Sequence, residues 1–249
     1  SYGESIETSD CGGGPLPGYI IMTTNFVVNN STELGNFIAH KQARGFEVTV
    51  VTEDQWGGGS DDAAAERIRN WLIANWANDG IADYLLLIGS PDPASNVPMK
   101  NTAGNEYGLC PTDLYYSTIT GSWDRDGDGV YGESSSDVSD VYYELIVGRI
   151  PFYGVIADLD HILDKTIDYE CQFASDVQWR KNTFSAMKPL DSYGTSWAFG
   201  EQMARDIFNP AGWPYFKLYD MTYLPAGVIP DATPCSYYTF TDIWSKGKF

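Results

Sequence analysis

The stretch Asp83-Tyr-Leu-Leu-Leu-Ile-Gly89, followed at once by Ser90-Pro91, decides the fold class. An apolar run this short that ends in turn residues reads as a strand buried on both faces, as strands of covered parallel sheets are. Working backwards, Asp61–Ala77 carries Ile68, Trp71, Leu72 and Trp76 at helical spacing, with Gly80 after it. Before that, Phe46–Thr52 is β-branched and strand-like. Ser31 and Thr32 offer helix caps, and Leu34, Phe37, Ile38 and Lys41 keep helical spacing as far as Gly45. Tyr19–Thr23 supplies the first strand. This alternation predicts a parallel sheet covered by helices on both faces.

Working forwards, residues 90–140 are rich in turns, and Tyr142–Val147 resumes as a strand. Ala157–Cys171 is an amphipathic helix with Leu159, Ile162, Leu163 and Ile167 facing inward. The pattern then restarts: strand Asn182–Met187, helix Thr195–Phe208, strand Tyr215–Tyr219 and short helix Thr239–Ser245. The expected organisation is a leader over 1–18, a first α/β subdomain over 19–171 and a second over 172–249. Two strands and two helices do not make an independent α/β core. The second subdomain is therefore expected to be completed by the remainder of the same polypeptide or by a neighbouring subunit.

Composition narrows the function. Lys+Arg of 15 against Asp+Glu of 34 gives a formal charge of -19, the wrong sign for nucleic acid or an anionic membrane as partner. Eight Trp and 17 Tyr argue for a packed chain. No apolar run is long enough for a transmembrane segment. Ser1–Gly14 is polar, acidic and glycine-rich, with no signal-peptide pattern, so an exported form is expected to be processed. Cys11, Cys110, Cys171 and Cys235 are scattered without metal-ligand spacing; one or two disulfides and buried thiols are both open readings.

One motif carries chemistry. In Asp124-Arg-Asp-Gly-Asp-Gly-Val-Tyr-Gly-Glu133, the carboxylates of Asp124, Asp126 and Asp128 stand at the first, third and fifth positions of a calcium loop. Val130 offers a carbonyl at the seventh. Position twelve is Ser135 where a helix–loop–helix calcium site has glutamate, so Glu133, or more distantly Asp137, would close the shell. The expected cofactor is Ca2+ in a structural role; the alternative is an acidic surface turn. His40 and His161 both lie within helices, away from strand ends, and read as surface or helix-packing residues.

Four further pieces, in order, resemble the gingipain-like cysteine peptidases, secreted proteases of caspase-like fold. They are Lys41-Gln-Ala-Arg-Gly45, Asp83–Gly89, the pair Asp113-Leu-Tyr-Tyr116 and Val147-Gly-Arg-Ile150 around the acidic loop, and Lys165-Thr-Ile-Asp-Tyr-Glu170. The resemblance implies an α/β sandwich of two side-by-side subdomains, a secreted or cell-surface location and a peptide or protein substrate. It implies hydrolysis by a Cys–His pair at strand ends of the second subdomain. Thr241–Phe249 resembles the helix just before the strand that leads to the family's His-Gly motif, so no catalytic residue carries over. Asp191, in the loop Lys188–Gly194, matches the place of a substrate-binding acid for basic side chains. A helix cap or solvated acid is the other reading of Asp191. The expectation is an N-terminal peptidase portion inactive by itself, with a non-catalytic calcium-binding surface or assembly module as the alternative. A flavodoxin-like binder is disfavoured because no glycine-rich phosphate loop follows the first strand.

Overall fold

The computed structural model describes residues 16–79, 83–104, 108–133, 136–137, 143–173, 178–188, 196–220, 224–233 and 235–245. The chain divides into two compact units, with the break between Glu170 and Cys171.

The first unit opens with β1 (Gly18–Met22), α1 (Asn25–Asn30), α2 (Leu34–Ala43), β2 (Glu47–Val51), α3 (Glu53–Trp56), α4 (Asp61–Asp79) and β3 (Tyr84–Gly89). A hairpin of β4 (Lys100–Gly104) and β5 (Gly108–Thr112) follows, then α5 (Leu114–Ser117), β6 (Ile146–Pro151) and α6 (Ile156–Cys171). Four parallel strands pair in the order β2-β1-β3-β6. Tyr19 stands opposite Val48 on one side and Tyr84 on the other, and Leu87 stands opposite Arg149. The inner strands β1 and β3 are almost wholly buried, while β2 and β6 alternate, as edge strands should.

Period-two alternation divides the core. Ile20, Met22, Leu85 and Leu87 face Trp56, Ala64, Ala65, Ile68 and Leu72 of α3 and α4, together with Tyr115, Tyr116 and Trp123. Ile21, Leu86 and Ile88 face Val27, Leu34 and Phe37 of α1 and α2 and Leu159 and Leu163 of α6. The expected helix layers on both faces are present. The start of α2 is capped across the fold. Ser31 Oγ accepts the Leu34 amide at 3.0 Å, and the Asp160 carboxylate on α6 accepts the Ser31 and Thr32 hydroxyls at 2.5 and 2.8 Å.

The short helices α1, α3 and α5 were not expected, and two strand details also differ from expectation. The strand expected over Tyr142–Val147 begins at Ile146 and runs on to Pro151. The Glu144 and Leu145 amides turn instead to the Ser117 carbonyl, at 2.9 and 3.2 Å, and Leu145 enters the core as loop. Pro151 is tolerated because β6 is an edge. The β4–β5 hairpin was not foreseen: β5 is largely exposed and carries no buried face for the sequence to reveal.

The second unit contains β7 (Thr183–Met187), α7 (Ser196–Met203) continued by one wider turn over Ala204–Phe208, α8 (Asn209–Ala211), β8 (Tyr215–Tyr219) and α9 (Tyr237–Ser245). Strands β7 and β8 pair in parallel. The far edge of β8 is taken by the segment around Ala232, whose carbonyl accepts the Tyr219 amide at 3.2 Å and whose amide donates to Lys217 at 3.1 Å. In β7, Thr183 donates to Pro214 and Met187 accepts from Asp220, so the odd residues serve the β8 ladder. Ala186, exposed, turns its amide and carbonyl to the opposite edge. Helix α7 approaches closely through Gly200, where an added Cβ would lie 2.5 Å from the Tyr219 hydroxyl and 3.2 Å from Met187. Because Tyr219 is fully buried and has nowhere to yield, Gly200→Ala is expected to destabilise the second unit by about 1–3 kcal/mol, measured by urea unfolding of the chain.

Candidate metal loop and the clamp beneath it

The long connection between β3 and β6 is fastened to the sheet by one guanidinium. Arg149 of β6 meets Asp113 through two parallel bonds, Nε to Oδ2 at 2.7 Å and Nη2 to Oδ1 at 2.6 Å. Its Nη1 donates to the carbonyls of Gly89 at 3.2 Å and Val97 at 2.8 Å. One side chain thus joins the end of β3, the following loop and the start of α5. Gly89 makes the approach possible, since a Cβ there would sit 2.5 Å from Val97 Cβ. The Arg149 side chain is 6 % exposed and that of Asp113 18 %, so the pair is substantially shielded from water. Val97 packs against the end of β3 and is buried in the core on that face of the sheet.

Further along, Arg69 of α4 gathers the carbonyls of Tyr115 (3.1 Å), Thr118 (2.8 Å) and Gly121 (2.7 Å) and lies over the Tyr115 ring. Trp123, buried against Tyr115, donates to the Thr118 hydroxyl at 2.7 Å. The entry to the acidic loop is thereby fixed. Its exit is fixed by Tyr131, whose carbonyl accepts the Ala103 amide of β4 at 2.6 Å. The Tyr131 ring lies 3.6 Å from the buried Lys100 ammonium, which is paired with Glu66 at 2.8 Å. Burial, with Glu66 next in importance, pushes the Tyr131 phenol up to about 12. The Gly132 amide closes the loop onto the Trp123 carbonyl at 2.7 Å.

Within the loop, Asp124 accepts the amides of Gly127 at 2.8 Å and Gly129 at 3.2 Å, and both glycines adopt positive φ. Asp126 accepts the Asp128 amide at 3.4 Å, and Asp128 the Val130 amide at 2.8 Å. Ligand oxygens of Asp124, Asp126 and Asp128 lie within 4.8 Å of one another. Three converging hard oxygens fit a calcium-sized cation. Val130 is exposed and stands two residues after Asp128. Glu133 stands beyond this cluster, with its carboxylate on the Ser136 hydroxyl at 3.1 Å. Asp137, buried, accepts the amides of Arg125 (2.6 Å), Gly132 (3.0 Å) and Glu133 (3.3 Å), so it serves as an internal brace.

Asp191 and Cys11 lie outside the described residues. His161 is exposed on α6, and His40 meets the Glu170 carboxylate at 2.9 Å. Cys110 is a free, exposed thiol on β5, and Cys171 is also exposed, against the buried-thiol reading for both. Cys235 is half-buried, and burial pushes its thiol up, away from a reactive thiolate.

Two solved structures resemble this chain in fold. The crystal structure of the Arg-specific cysteine proteinase gingipain R (RgpB) aligns with a TM-score of 0.58 at 20% identity, over 81% of this chain and 40% of that one. The complex of Porphyromonas gingivalis RgpB pro- and mature domains aligns with a TM-score of 0.56 at 19% identity, over 80% of this chain and 40% of that one. The fold is thus the caspase-like α/β sandwich of the gingipains, and this chain spans about two-fifths of the length of those proteins. The sequence profile of peptidase family C25 matches residues 15–247, and the chain belongs to that family of gingipain-like cysteine peptidases. No curated protein sequence matches it.

Three of the four family-like pieces become contacts: Asp113 meets Arg149, and the α2 end meets Glu170. Arg149→Met is expected to cost about 3 kcal/mol in urea unfolding of the first unit, because it strands Asp113 and two carbonyls. Asp113→Asn, which keeps the shape, is expected to cost less.

Proposed function

We propose that this chain is the N-terminal portion of a secreted or cell-surface, calcium-stabilised cysteine endopeptidase whose catalytic Cys–His pair is supplied from outside these 249 residues. The observation that carries the reading is the match to family C25 over residues 15–247, joined to coverage of only 40% of gingipain R. Among the described residues β7 pairs with one strand, β8, which supports it. In the first unit the opening strand β1 sits between the second strand and the third. In the second unit β7 has the second strand, β8, on one side, and a third strand would take its other edge by the same order. The remainder of the polypeptide, or a neighbouring subunit, would add that strand and bring peptide substrate to the strand ends. Asp191 would line the pocket for a basic side chain there.

The division of labour follows from the chemistry. A thiolate nucleophile with a histidine base splits the peptide bond through an acyl intermediate, and neither group works without the other in hydrogen-bond reach. This chain would contribute the rigid first unit, half of the second sheet, and the metal loop. In the loop, Asp124, Asp126, Asp128 and the Val130 carbonyl would hold Ca2+, with Glu133 completing the shell. The ion would neutralise carboxylates that otherwise repel each other and would order the connection between β3 and β6.

The purified 249-residue chain should hydrolyse no peptide substrate, and in hydrogen exchange its second unit should be less protected than its first. Turnover abolished by Cys110→Ser, Cys171→Ser or Cys235→Ser would overturn the reading. Equal protection of both units in a monomer would favour a self-sufficient binding module. Calcium should raise the melting temperature, since an ion at about 100 times its Kd adds about 2.7 kcal/mol. The Asp126 carboxylate accepts one long amide bond, from Asp128 at 3.4 Å, so Asp126→Asn should leave the calcium-free melt almost unchanged while cutting the calcium response. A wild-type melt indifferent to calcium and chelator, with no metal found by elemental analysis, would make the loop an acidic turn.

A further inference from the structure

The last turn of α2 aims three basic side chains at one carboxylate of α6. His40 Nε2 lies 2.9 Å from Glu170 Oε2, Lys41 Nζ 2.7 Å from Oε1, and Arg44 Nε 3.7 Å from Oε2. Arg44 Nη1 also donates to the Glu170 main-chain carbonyl at 3.4 Å, which ties down the backbone of α6 as well as its side chain. Lys41 is set in aromatic surroundings, with Nζ 5.4 Å from the Tyr19 ring centre and 5.2 Å from that of Phe37. Its side chain is only 10% exposed, so its charge depends on a close counter-ion. From β1, Tyr19 also faces Glu170. Burial, and then the Glu170 charge, push its phenol up to about 12, so it stays neutral over the working range. The position of this cluster gives it consequence: Glu170 is the last residue of the first unit, and the chain passes into the second at Cys171.

We propose that Glu170, with His40, Lys41 and Arg44, forms an acid-released clamp on the exit of the chain from the first unit. Ionised, Glu170 compensates Lys41 and holds the final turn of α6 against α2. Protonated, it leaves the Lys41 and Arg44 cations, with the His40 ring beside them, converging on a neutral acid, and the repulsion between those cations frees that turn. Burial works against ionisation of Glu170. The hydrogen bonds from Lys41 and His40 and the charges of Lys41 and Arg44 outweigh it and hold the carboxyl below its ordinary value of 4.5. A carboxyl depressed by folding stabilises fully above its unfolded value and loses that contribution as pH falls through its folded one. The clamp is therefore closed at neutral pH and opens in acid below that ordinary value.

Hydrogen exchange by mass spectrometry on the whole 249-residue chain tests this, with peptides covering 164–173 compared against β3 as an internal reference. Glu170→Gln at about pH 6 mimics the protonated state, and amides at the end of α6 should exchange about tenfold faster than in wild type while β3 is unchanged. Wild type at about pH 3, after correction for intrinsic rates, should reach the variant's protection there with β3 still protected. Equal protection of the α6 end in variant and wild type at the higher pH would overturn the proposal. So would a wild-type α6 end that keeps its protection in acid. If the glutamine variant does not fold, the wild-type acid profile decides alone.

Discussion

The Arg149–Asp113 pair is the contact on which the first unit depends. A connection of more than fifty residues between adjacent parallel strands is entropically expensive to order, and apolar burial fixes only some of it. A planar guanidinium with five donors can satisfy a carboxylate and two carbonyls at once, which no ammonium can do in this geometry. Placing that side chain on β6, in register with Leu87 of β3, puts the tie point inside the sheet's own lattice. The connection is then fastened outward in stages, by Arg69 at the α5 turn, by Trp123 at the loop entry and by Lys100 under Tyr131 at its exit. The three loop carboxylates converge because both ends of the loop are already fixed.

The same reasoning separates the two units. In the first, four strands are covered on both faces, and both layers of helices close over them. In the second, two strands carry α7 through a glycine contact and α9 through the packing of Phe240 on Phe184 at 5.1 Å. The edge of β8 is covered by a short segment, and among the described residues β7 pairs with β8 alone. On the proposal above, so small a sheet would gain stability from the strands added to it.

How much of this could be read from the sequence follows from where the information lies. The run Tyr84–Gly89 declared itself because burial on both faces makes every position apolar. The helices over residues 34–43, 61–79 and 156–171 did so through their spacing. The start of β6 was misplaced because Tyr143 and Leu145 have strand character, whereas the ladder begins where the Ile146 amide meets the Asp83 carbonyl. The hairpin was invisible because Lys100, its most buried residue, is held by an ion pair and a ring rather than by an apolar pattern. That the carboxylates of Asp124, Asp126 and Asp128 would lie close together was legible from spacing. That Asp137 would brace the loop through three amides was not, because those amides come together only when the loop has folded. The pieces around Asp113 and Arg149 were legible as a resemblance, while their physical bond was not, since thirty-six residues separate the partners.

The measurement closest to the central claim is amide exchange across residues 90–145 in Arg149→Lys. Lysine keeps the charge and loses the fork. If the guanidinium holds the connection to the sheet, exchange should accelerate together at Val97, at α5 and along the approach to Trp123, while β1 and β3 keep their protection. Acceleration confined to the immediate neighbours of Arg149 and Asp113 would contradict the account. It would mean that the connection is held by its aromatic packing alone.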